Sequence, residues 1–442
     1  MTRGKIIKQM LIFGWPILLG LLLQQLYNTV DAVVVGNYVG SNALAAVGTI
    51  SGSLVNVIIS FAIGLFAGAN VLVSQFYGAG EHNKVHNVVH MELLLSIILG
   101  VALAAVGYAF TPALLGLINT PAEVIPDATT YLRIYFLGLP ALFVYNAGAS
   151  ILTALGDSIR PLIYLIITTV LNIVGDLVFV LVFDWDTAGV ACATVIAEVI
   201  SVLMVLWTMR RAQGGHRLIF KDLRLHPEML KKAAAIGIPG GLQGTIVSLS
   251  NFAVQSYLNG LGATTMAGYS ASSRIDAFAQ MPLQAIALVL ATFVGQNLGA
   301  QQVERARKGV KYGVLLSIFI TMGLSALALV FARPMLWFFS PQAGVVEAGL
   351  RFMYMITPFY FLLTGVNVLP GALRGAGDVR FATISCILSF VVVRQIYLFT
   401  ISQINYNISM VAVCYPATWL IAGIAIAIHY KHSDWTKFEK ES

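Results

Sequence analysis

The chain reads Val73-Ser74-Gln75-Phe76-Tyr77-Gly78-Ala79 near the end of its second apolar segment and Val294-Gly295-Gln296-Asn297-Leu298-Gly299-Ala300 near the end of its eighth, about 221 residues later. Two further pairs of segments keep this order and spacing: Gly14-Trp15-Pro16 with Gly237-Ile238-Pro239, and Ala154-Leu155-Gly156-Asp157 with Gly375-Ala376-Gly377-Asp378. The matches indicate a tandem duplication with six apolar segments in each half. Parallel repeats of this kind are related by an axis along the membrane normal, and a substrate cavity is expected between them.

The composition places the chain among membrane proteins. Of its 442 residues, 58% are hydrophobic and 10% are charged, whereas soluble domains are roughly 25% charged. Because about 20 apolar residues span a bilayer as a helix, we predict an all-α polytopic protein whose twelve transmembrane helices form two pseudo-symmetric six-helix lobes around a central cavity. The predicted spans are 10–35, 45–74, 90–113, 128–152, 160–182, 187–209, 233–258, 268–296, 310–332, 346–373, 379–402 and 406–430.

The distribution of charge predicts the orientation. Most of the 26 Lys and Arg fall at segments on one face of this topology, and the positive-inside rule makes that face cytoplasmic. We therefore expect a multi-pass protein of the cell inner (plasma) membrane with both termini in the cytoplasm. The predicted domains are an N-terminal lobe over 1–209, a basic cytoplasmic linker over 210–232, a C-terminal lobe over 233–430 and a cytoplasmic tail over 431–442.

Several other classes of protein fit poorly. The net charge of +7 is dispersed over many loops and a tail rather than concentrated in one patch, so no nucleic-acid partner is expected. The apolar run that follows the first bases is too long for a secretory signal and lacks a small-residue cleavage site. The three cysteines, Cys192, Cys386 and Cys414, all lie inside predicted helices and imply neither a disulfide framework nor a metal site.

Polar side chains inside the spans of the first half fall close to one depth. With a rise of about 1.5 Å per residue, Asp31, Asp176 and Thr194 lie roughly 8–10 Å below the outer surface. Asn172 precedes Asp176 by four residues and Glu198 follows Thr194 by four, so each pair shares a helix face. This oxygen-rich set suits a hard cation such as Na⁺ or a shared proton. Alternatively, each acid caps a neighbouring amide or faces a watery cavity and binds nothing.

The second half carries a different set of charges. Arg274, Asp276 and Arg394 share a depth, and an internal ion pair or triad is the default expectation, with a substrate-side or gating role as the alternative. In the first span, Pro16 lies about fifteen residues before Asp31. An interior proline removes one backbone hydrogen bond and makes bending easier, although a kink without functional motion explains it equally well. The elbows Gly156-Asp157 and Gly377-Asp378 suit positive φ at glycine and are interpreted as structural.

Several segments together resemble one known family over essentially the whole chain. They are Val30-Asp31-Ala32-Val33-Val34-Val35-Gly36, Leu171-Asn172-Ile173, the segment 294–300 quoted above, and Ala372-Leu373-Arg374-Gly375-Ala376-Gly377-Asp378. Each is weak alone, but in this order they resemble the multidrug and toxic compound extrusion (MATE) transporters, and most closely the DNA-damage-inducible (DinF-like) branch. The resemblance implies two six-helix lobes that rock around a central cavity and expel organic cations and other amphipathic compounds.

The resemblance also assigns roles to residues. It implies a first-lobe cation site formed by Asp31, Asn172, Asp176 and Thr194, in which Asp31 and Asp176 are metal ligands if the coupling ion is Na⁺. It also implies bending at Pro16 and a substrate cavity lined by Gln24 and Asn146. We add Glu198, Arg274 and Asp276 to the predicted cavity. Glu198 departs from the family pattern, and the acids that another branch carries in helices 7 and 10 are absent.

The sequence thus predicts a secondary active antiporter rather than an enzyme. It exports amphipathic, cationic drugs or toxic metabolites in exchange for inward H⁺ or Na⁺, with membrane lipids around it, no cofactor and a monomeric state. The first alternative is a lipid-linked saccharide flippase of the same broader superfamily, which would need first-lobe arginines. A membrane hydrolase or transferase would need a nucleophile with a base or a metal cluster, and His82, His86 and His90 share an i+4 spacing that could bind a metal. A passive channel is a third alternative, which transport against a gradient would exclude.

Overall fold

The computed structural model describes residues 1–39, 52–117 and 120–436. Throughout these residues the regular structure is helical. The first half contains α1 Ile6–Val34 with a π-helical end Val35–Val39, α2 Gly52–Ala79, α3 His82–Leu117, α4 Ile125–Ala154, α5 Ile159–Leu181 and α6 Asp186–Arg211. A short 3₁₀ turn, Phe220–Asp222, lies in the connection to the second half.

The second half follows a similar plan with more interruptions. It contains α7 Pro227–Asn259, α8 Ala263–Gly299, α9 Val303–Val330, the short α10 Ala332–Phe339, α11 Ala343–Ile356, a 3₁₀ segment Thr357–Leu362, a π segment Thr364–Val368, α12 Leu369–Ala376, α13 Arg380–Ile387, a π segment Leu388–Val393, α14 Arg394–Ile404 and α15 Ile408–His432. Within the described ranges, eleven helices are long and apolar enough to cross a membrane, and a bent pair makes twelve. The predicted all-α polytopic class is confirmed, and the start of the predicted span 45–74 lies outside the described residues.

The tenth predicted span, 346–373, is not one continuous helix as the sequence analysis expected. It consists of two helical pieces, Ala343–Leu362 and Thr364–Ala376, which meet at an angle of 50°. Pro358 near the start of the 3₁₀ segment has no N–H to donate, and its ring disfavours a regular α-helix through this region. The π-helical turn that follows absorbs the change of direction.

The duplication is visible in how corresponding helices end. Gly156 has φ +96° and Gly377 has φ +88°, and the next residue in each case donates its N–H to a carbonyl five residues earlier, at 2.9 Å. Glycine reaches this left-handed conformation without a Cβ clash, and the closing bonds satisfy carbonyls that the helix end leaves free. The positive φ that was predicted for the glycine of each elbow is confirmed.

Cα packing divides the chain into two compact units that differ from its halves. One unit is Trp15–Gly237, and the other combines Met1–Gly14 with Ile238–Ser442. Both divisions fall within the repeated Gly-X-Pro motif, inside α1 and inside α7. The predicted domain limits at 209, 232 and 430 remain predictions, and residues 437–442 of the predicted tail lie outside the described residues.

The first residues of the chain are anchored in the second of these units. Arg305 donates hydrogen bonds to the backbone carbonyls of Met1, Arg3 and Gly4 at 2.8–3.2 Å. The terminal ammonium group donates to Oε1 of Gln296 at 2.8 Å. The chain just before α1 is therefore fixed to this unit, about three helical turns before Pro16.

Close packing of α12 on α8 depends on two glycines spaced four residues apart. A Cβ on Gly371 would lie 2.6 Å from the carbonyl oxygen of Ala287, and one on Gly375 would lie 2.3 Å from that of Ala291. Helices in membranes associate mainly through such close contacts between small residues, because lipid supplies no hydrophobic drive for their association. The two glycines therefore set the distance between the helices.

We expect Gly375→Leu to lower the free energy of unfolding by about 1–3 kcal/mol or more, since a helix carbonyl cannot move aside as a side chain can. Gly323 on α9 is the matched control, because a Cβ there meets nothing within 4 Å. Thermal unfolding of the two variants in detergent checks this prediction. Equal melting temperatures for Gly375→Leu and Gly323→Leu would show that the contact does not limit packing.

Candidate functional site

Polar side chains from α1, α5 and α6 meet inside the unit 15–237. Tyr27 and Asp31 lie four residues apart on α1, Asn172 and Asp176 lie four apart on α5, and Thr194 belongs to α6. A spacing of four places each pair on one helix face. The structure thus brings together the four side chains predicted as the first-lobe cation site, and it adds Tyr27.

Hydrogen bonds order this cluster around Thr194. The Thr194 hydroxyl donates to the carbonyl oxygen of Val190 at 3.1 Å, one turn earlier in α6. A hydroxyl has one proton to donate, so its contacts with Asn172 Nδ2 and Tyr27 Oη, both at 3.3 Å, are bonds that it accepts. Thr194 therefore ties α1 and α5 to α6 and fixes which way the Asn172 amide points.

Four other oxygens of the cluster accept no hydrogen bond. Asp176 is fully buried and Asn172 is 1% exposed. Both carboxylate oxygens of Asp176, Oδ1 of Asp31 and Oδ1 of Asn172 are buried without a hydrogen-bond partner. The two carboxyl groups lie close enough to interact electrostatically. Four acceptor oxygens that make no hydrogen bond therefore lie together in a small buried region.

This arrangement fits a small cation. An unpaired carboxylate removed from water is strongly unfavourable, and a second one beside it adds repulsion. A proton shared by the two carboxyls or a Na⁺ held by carboxylate and amide oxygens would satisfy both requirements. Among the described residues no three His, Cys, Asp or Glu side chains group as a metal site, so a metal ion here would also need oxygens of neutral side chains such as Asn172.

Tyr27 was missed by the sequence analysis. It precedes Asp31 by four residues, the same spacing that linked Asn172 with Asp176, so the signal was present. A tyrosine near the middle of an apolar span also packs well as a hydrophobic residue, and its hydroxyl becomes informative only once its partner, Thr194, is known.

Glu198 lies one helical turn from Thr194 beside an aromatic wall. A Cβ on Gly138 of α4 would lie 3.2 Å from Oε2 of Glu198, so α4 leaves room for this carboxylate. Tyr131 and Tyr135, on the same helix, stack with centroids 6.0 Å apart and planes 19° apart. Both phenols interact electrostatically with Glu198. A carboxylate beside stacked rings is the set of groups that recognises organic cations.

The two residues predicted to line the substrate cavity from the first lobe are not part of this cluster. Gln24 is exposed on α1. Asn146 donates from Nδ2 to the carbonyl oxygen of Leu142 at 2.8 Å, within its own helix α4. No hydrogen bond in the described part of the chain joins either side chain to the cation cluster.

The expected ion pair or triad of the second half does not form. Asp276 accepts from Gln280 Nε2 at 2.6 Å, Arg274 is exposed, and Arg394 donates to neutral oxygens of Asn251 and Thr418. Within the described ranges no ion pair joins the three charged residues. The expectation was wrong because equal depth does not bring side chains on different helix faces together, and neutral oxygens accept from the two terminal nitrogens of the Arg394 guanidinium instead.

The histidines at the start of α3 are structural. The backbone N–H of Ile219 donates to His90 Nε2 at 3.0 Å, which leaves the proton on Nδ1, and Nδ1 donates to the carbonyl of His86 at 2.7 Å. His86 Nε2 lies 3.1 Å from Asp222 Oδ2, and His82 is exposed. These side chains hold the connection 212–226 against α3, which leaves no free nitrogen on His90 for a metal.

Glu92 on α3 is a second residue that the sequence analysis passed over. It is fully buried, and neither carboxylate oxygen has a hydrogen-bond partner. It lies near the start of the predicted span 90–113, a position that does not by itself indicate burial. The signal was its spacing from Val89 and Ser96, which are also fully buried and share its helix face. α3 contributes no side chain to the cation cluster.

Comparison with known proteins identifies relatives along the whole chain. The "probable multidrug resistance protein YoeA" of Bacillus subtilis is 30% identical over 441 residues, which cover 97% of this chain and 94% of the relative. The "multidrug export protein MepA" of Staphylococcus aureus is 23% identical over 397 residues, which cover 88% and 86%.

Solved structures share the fold. A MOP superfamily transporter from Pyrococcus furiosus superposes with a TM-score of 0.91 at 22% identity, covering 99% of this chain and 98% of the other. The MATE transporter VcmN of Vibrio cholerae gives a TM-score of 0.91 at 21% identity and covers 98% of both chains. These likenesses support the two-lobed architecture.

The family model described as MatE matches residues 16–178 and again residues 239–400. The two matches begin at Pro16 and Pro239, so they reproduce the internal duplication found in the sequence. The relatives are transporters, and this chain is accordingly a transporter rather than an enzyme. The DinF-like branch remains a prediction. With the model matching most of the chain and a relative 30% identical over nearly all of it, the chain belongs to the MatE family of membrane transporters.

Proposed function

We propose that this transporter is an antiporter that exports amphipathic cations in exchange for H⁺ or Na⁺ moving inward. The observation that carries the proposal is the set of four buried acceptor oxygens without a donor, on Asp31, Asn172 and Asp176. Within a membrane protein, buried carboxylates without partners are unfavourable and mark the sites of ions or protons.

The cluster supports coupling through α1. It joins α1 to α5 and α6 by the hydrogen bonds at Thr194, so a cation bound among these oxygens would favour the arrangement of α1 in which they converge. Pro16 lies below the cluster in the same helix, where bending is easiest. Coupling requires that cation and substrate prefer different arrangements, because a ligand with equal affinity for both shifts neither.

A cationic substrate is supported by Glu198 and the tyrosines of α4. The carboxylate supplies charge complementarity, and Tyr131 and Tyr135 offer faces for a quaternary ammonium or an aromatic ring. The names of the relatives, a multidrug resistance protein and a multidrug export protein, support a substrate range of amphipathic drugs.

The test is transport by purified protein in liposomes loaded with a fluorescent organic cation. An inward H⁺ gradient and an inward Na⁺ gradient are imposed separately, and we expect dye efflux under one of them, which identifies the coupling ion. Efflux under neither gradient contradicts the proposal, and lipid scrambling would then be assayed in the same liposomes to test the flippase alternative.

We also propose that the protein is a monomer in the inner membrane with both termini in the cytoplasm, as the distribution of bases suggests. Cysteines introduced at Arg3 and at Asp184, both exposed, test the orientation. A membrane-impermeant maleimide should label Asp184→Cys in intact cells and Arg3→Cys only after permeabilisation. The reverse pattern would invert the topology.

A further inference from the structure

Arg394 is the largest fully buried side chain of the second unit. It is the first residue of α14, directly after the π-helical turn Leu388–Val393, and it is 2% exposed. A guanidinium stays charged in any protein environment. A permanent positive charge is therefore held inside a transmembrane helix bundle.

The groups around this charge are neutral. Nη1 donates to Asn251 Oδ1 at 2.9 Å and to Ser250 Oγ at 3.4 Å, both on α7. Nη2 donates to Thr418 Oγ1 on α15 at 3.1 Å. The rings of Phe390 and Tyr415 lie 4.7 and 4.9 Å from Cζ.

No carboxylate balances this charge. Among the residues that the structure describes, no acidic oxygen lies within 4.0 Å of the Arg394 guanidinium, and Asp276 is hydrogen-bonded to Gln280. Amide and hydroxyl oxygens together with aromatic faces are the groups with which proteins hold bound cations. The surroundings of Arg394 therefore resemble a cation site in which the cation is covalently attached.

The internal duplication relates the Arg394 site to the acceptor cluster of the first half. By the order of the duplicated helices, α7, the broken helix ending in α14, and α15 correspond to α1, α5 and α6. Those three helices carry the partnerless oxygens and Thr194 in the first half. Helices in corresponding positions thus surround a group of acceptors in one half and a fixed guanidinium in the other.

We infer that Arg394 is a tethered cation that occupies, in the second half, the place where the first half takes a mobile one. The second half is consequently held in its cation-bound arrangement throughout the cycle, and all ion coupling passes through Asp31 and Asp176. This inference rests on the proposed function for the role of the first-half cluster, but the state of the Arg394 site is measurable without transport.

The first experiment asks whether charge or hydrogen bonding matters at position 394. Arg394→Lys keeps the charge with fewer donors, and Arg394→Gln keeps a donor without the charge. We expect the Lys variant to melt near the parent in detergent and the Gln variant to melt about 2 °C or more below it, a small shift because the entropy of unfolding grows with chain length. A Gln variant as stable as the Lys variant overturns the inference.

The second experiment converts the site to accept a mobile ion. Adding Asn251→Asp to Arg394→Gln places a carboxylate among the acceptors that the guanidinium has left. We expect the melting temperature of this double variant to rise with added Na⁺ or with acid. The rise should exceed those of the parent and of Arg394→Gln under the same conditions. A double variant that responds no more than Arg394→Gln means that Arg394 is only a structural donor and overturns the inference.

The third experiment leaves Arg394 unchanged, so it does not depend on whether position 394 tolerates substitution. In liposomes, Asp176→Asn should remove all dependence of efflux on the coupling ion, and reversal potentials of the parent should indicate one ion site. Ion-dependent efflux that survives in Asp176→Asn overturns the inference. If the parent shows no antiport at all, the proposed function fails while the melting experiments still decide the nature of the Arg394 site.

Discussion

Asp31→Asn and Asp176→Asn are each expected to lower ion-driven efflux at least about tenfold, because removing the ionisable group removes the preference of the cation for one arrangement of α1. The same substitutions should leave the free energy of unfolding unchanged or raise it. Both carboxylates are buried and have oxygens without donors, and an uncharged amide of the same shape is less unfavourable there. Activity and stability should therefore change in opposite directions, as expected where a functional site is strained.

The matched control is Asp184→Asn, the same substitution at an exposed residue of the loop between α5 and α6. Its backbone φ of +53° suits asparagine at least as well as aspartate, so neither efflux nor melting should change. The measurements are dye efflux from liposomes and thermal unfolding in detergent. Efflux at the parent rate in both cluster variants would exclude the cluster as the coupling site. Lost efflux together with a lowered melting temperature would indicate a folding defect instead.

The architecture was predictable because long stretches of the sequence indicate it. Twelve apolar runs and three repeated motifs determine the class and the duplication, and the repeated elbows at Gly156 and Gly377 adopt the positive φ that their glycines suggested. The break in the tenth span was not predicted, although Pro358 marks it. A proline in an apolar run can lie within a continuous helix, as Pro140 does in α4, or stand at a change of helix type, as Pro358 does. The surrounding packing decides between the two.

The candidate site was predictable where its residues share a helix face. Asn172 with Asp176 is found by spacing alone, and so, in principle, is Tyr27 with Asp31. What spacing does not provide is the direction in which neighbouring helices turn their faces. The structure therefore unites the first-half residues and leaves Arg274, Asp276 and Arg394 apart, although both sets share a depth. Arg394 donates to two neutral residues, Asn251 and Thr418, which could not be recognised as its partners from the sequence. Single polar residues in apolar helices also form hydrogen bonds with their own backbone, as Asn146 does.

Glu198→Gln tests whether the acid beside the tyrosines selects the substrate. We expect efflux of a permanently charged organic cation to fall about tenfold or more. The substitution removes the desolvated carboxylate, which is the strongest partner of a cation bound over the aromatic faces. Efflux of an uncharged amphipathic dye should stay within about twofold, because the apolar and aromatic surface is unchanged. The loss should appear mainly as weaker apparent affinity for the cation.

The control for this substitution is Glu123→Gln, at an exposed position before α4, which should affect neither dye. A second variant, Tyr135→Leu, removes one of the stacked rings while keeping the carboxylate, and it should weaken transport of the same cation and spare coupling to the ion gradient. Efflux of the charged and the uncharged dye reduced equally by Glu198→Gln would contradict a role in selection. That result would make Glu198 part of the coupling machinery with Asp31 and Asp176, one helical turn beyond Thr194, and the ion dependence of the remaining efflux would then change as well.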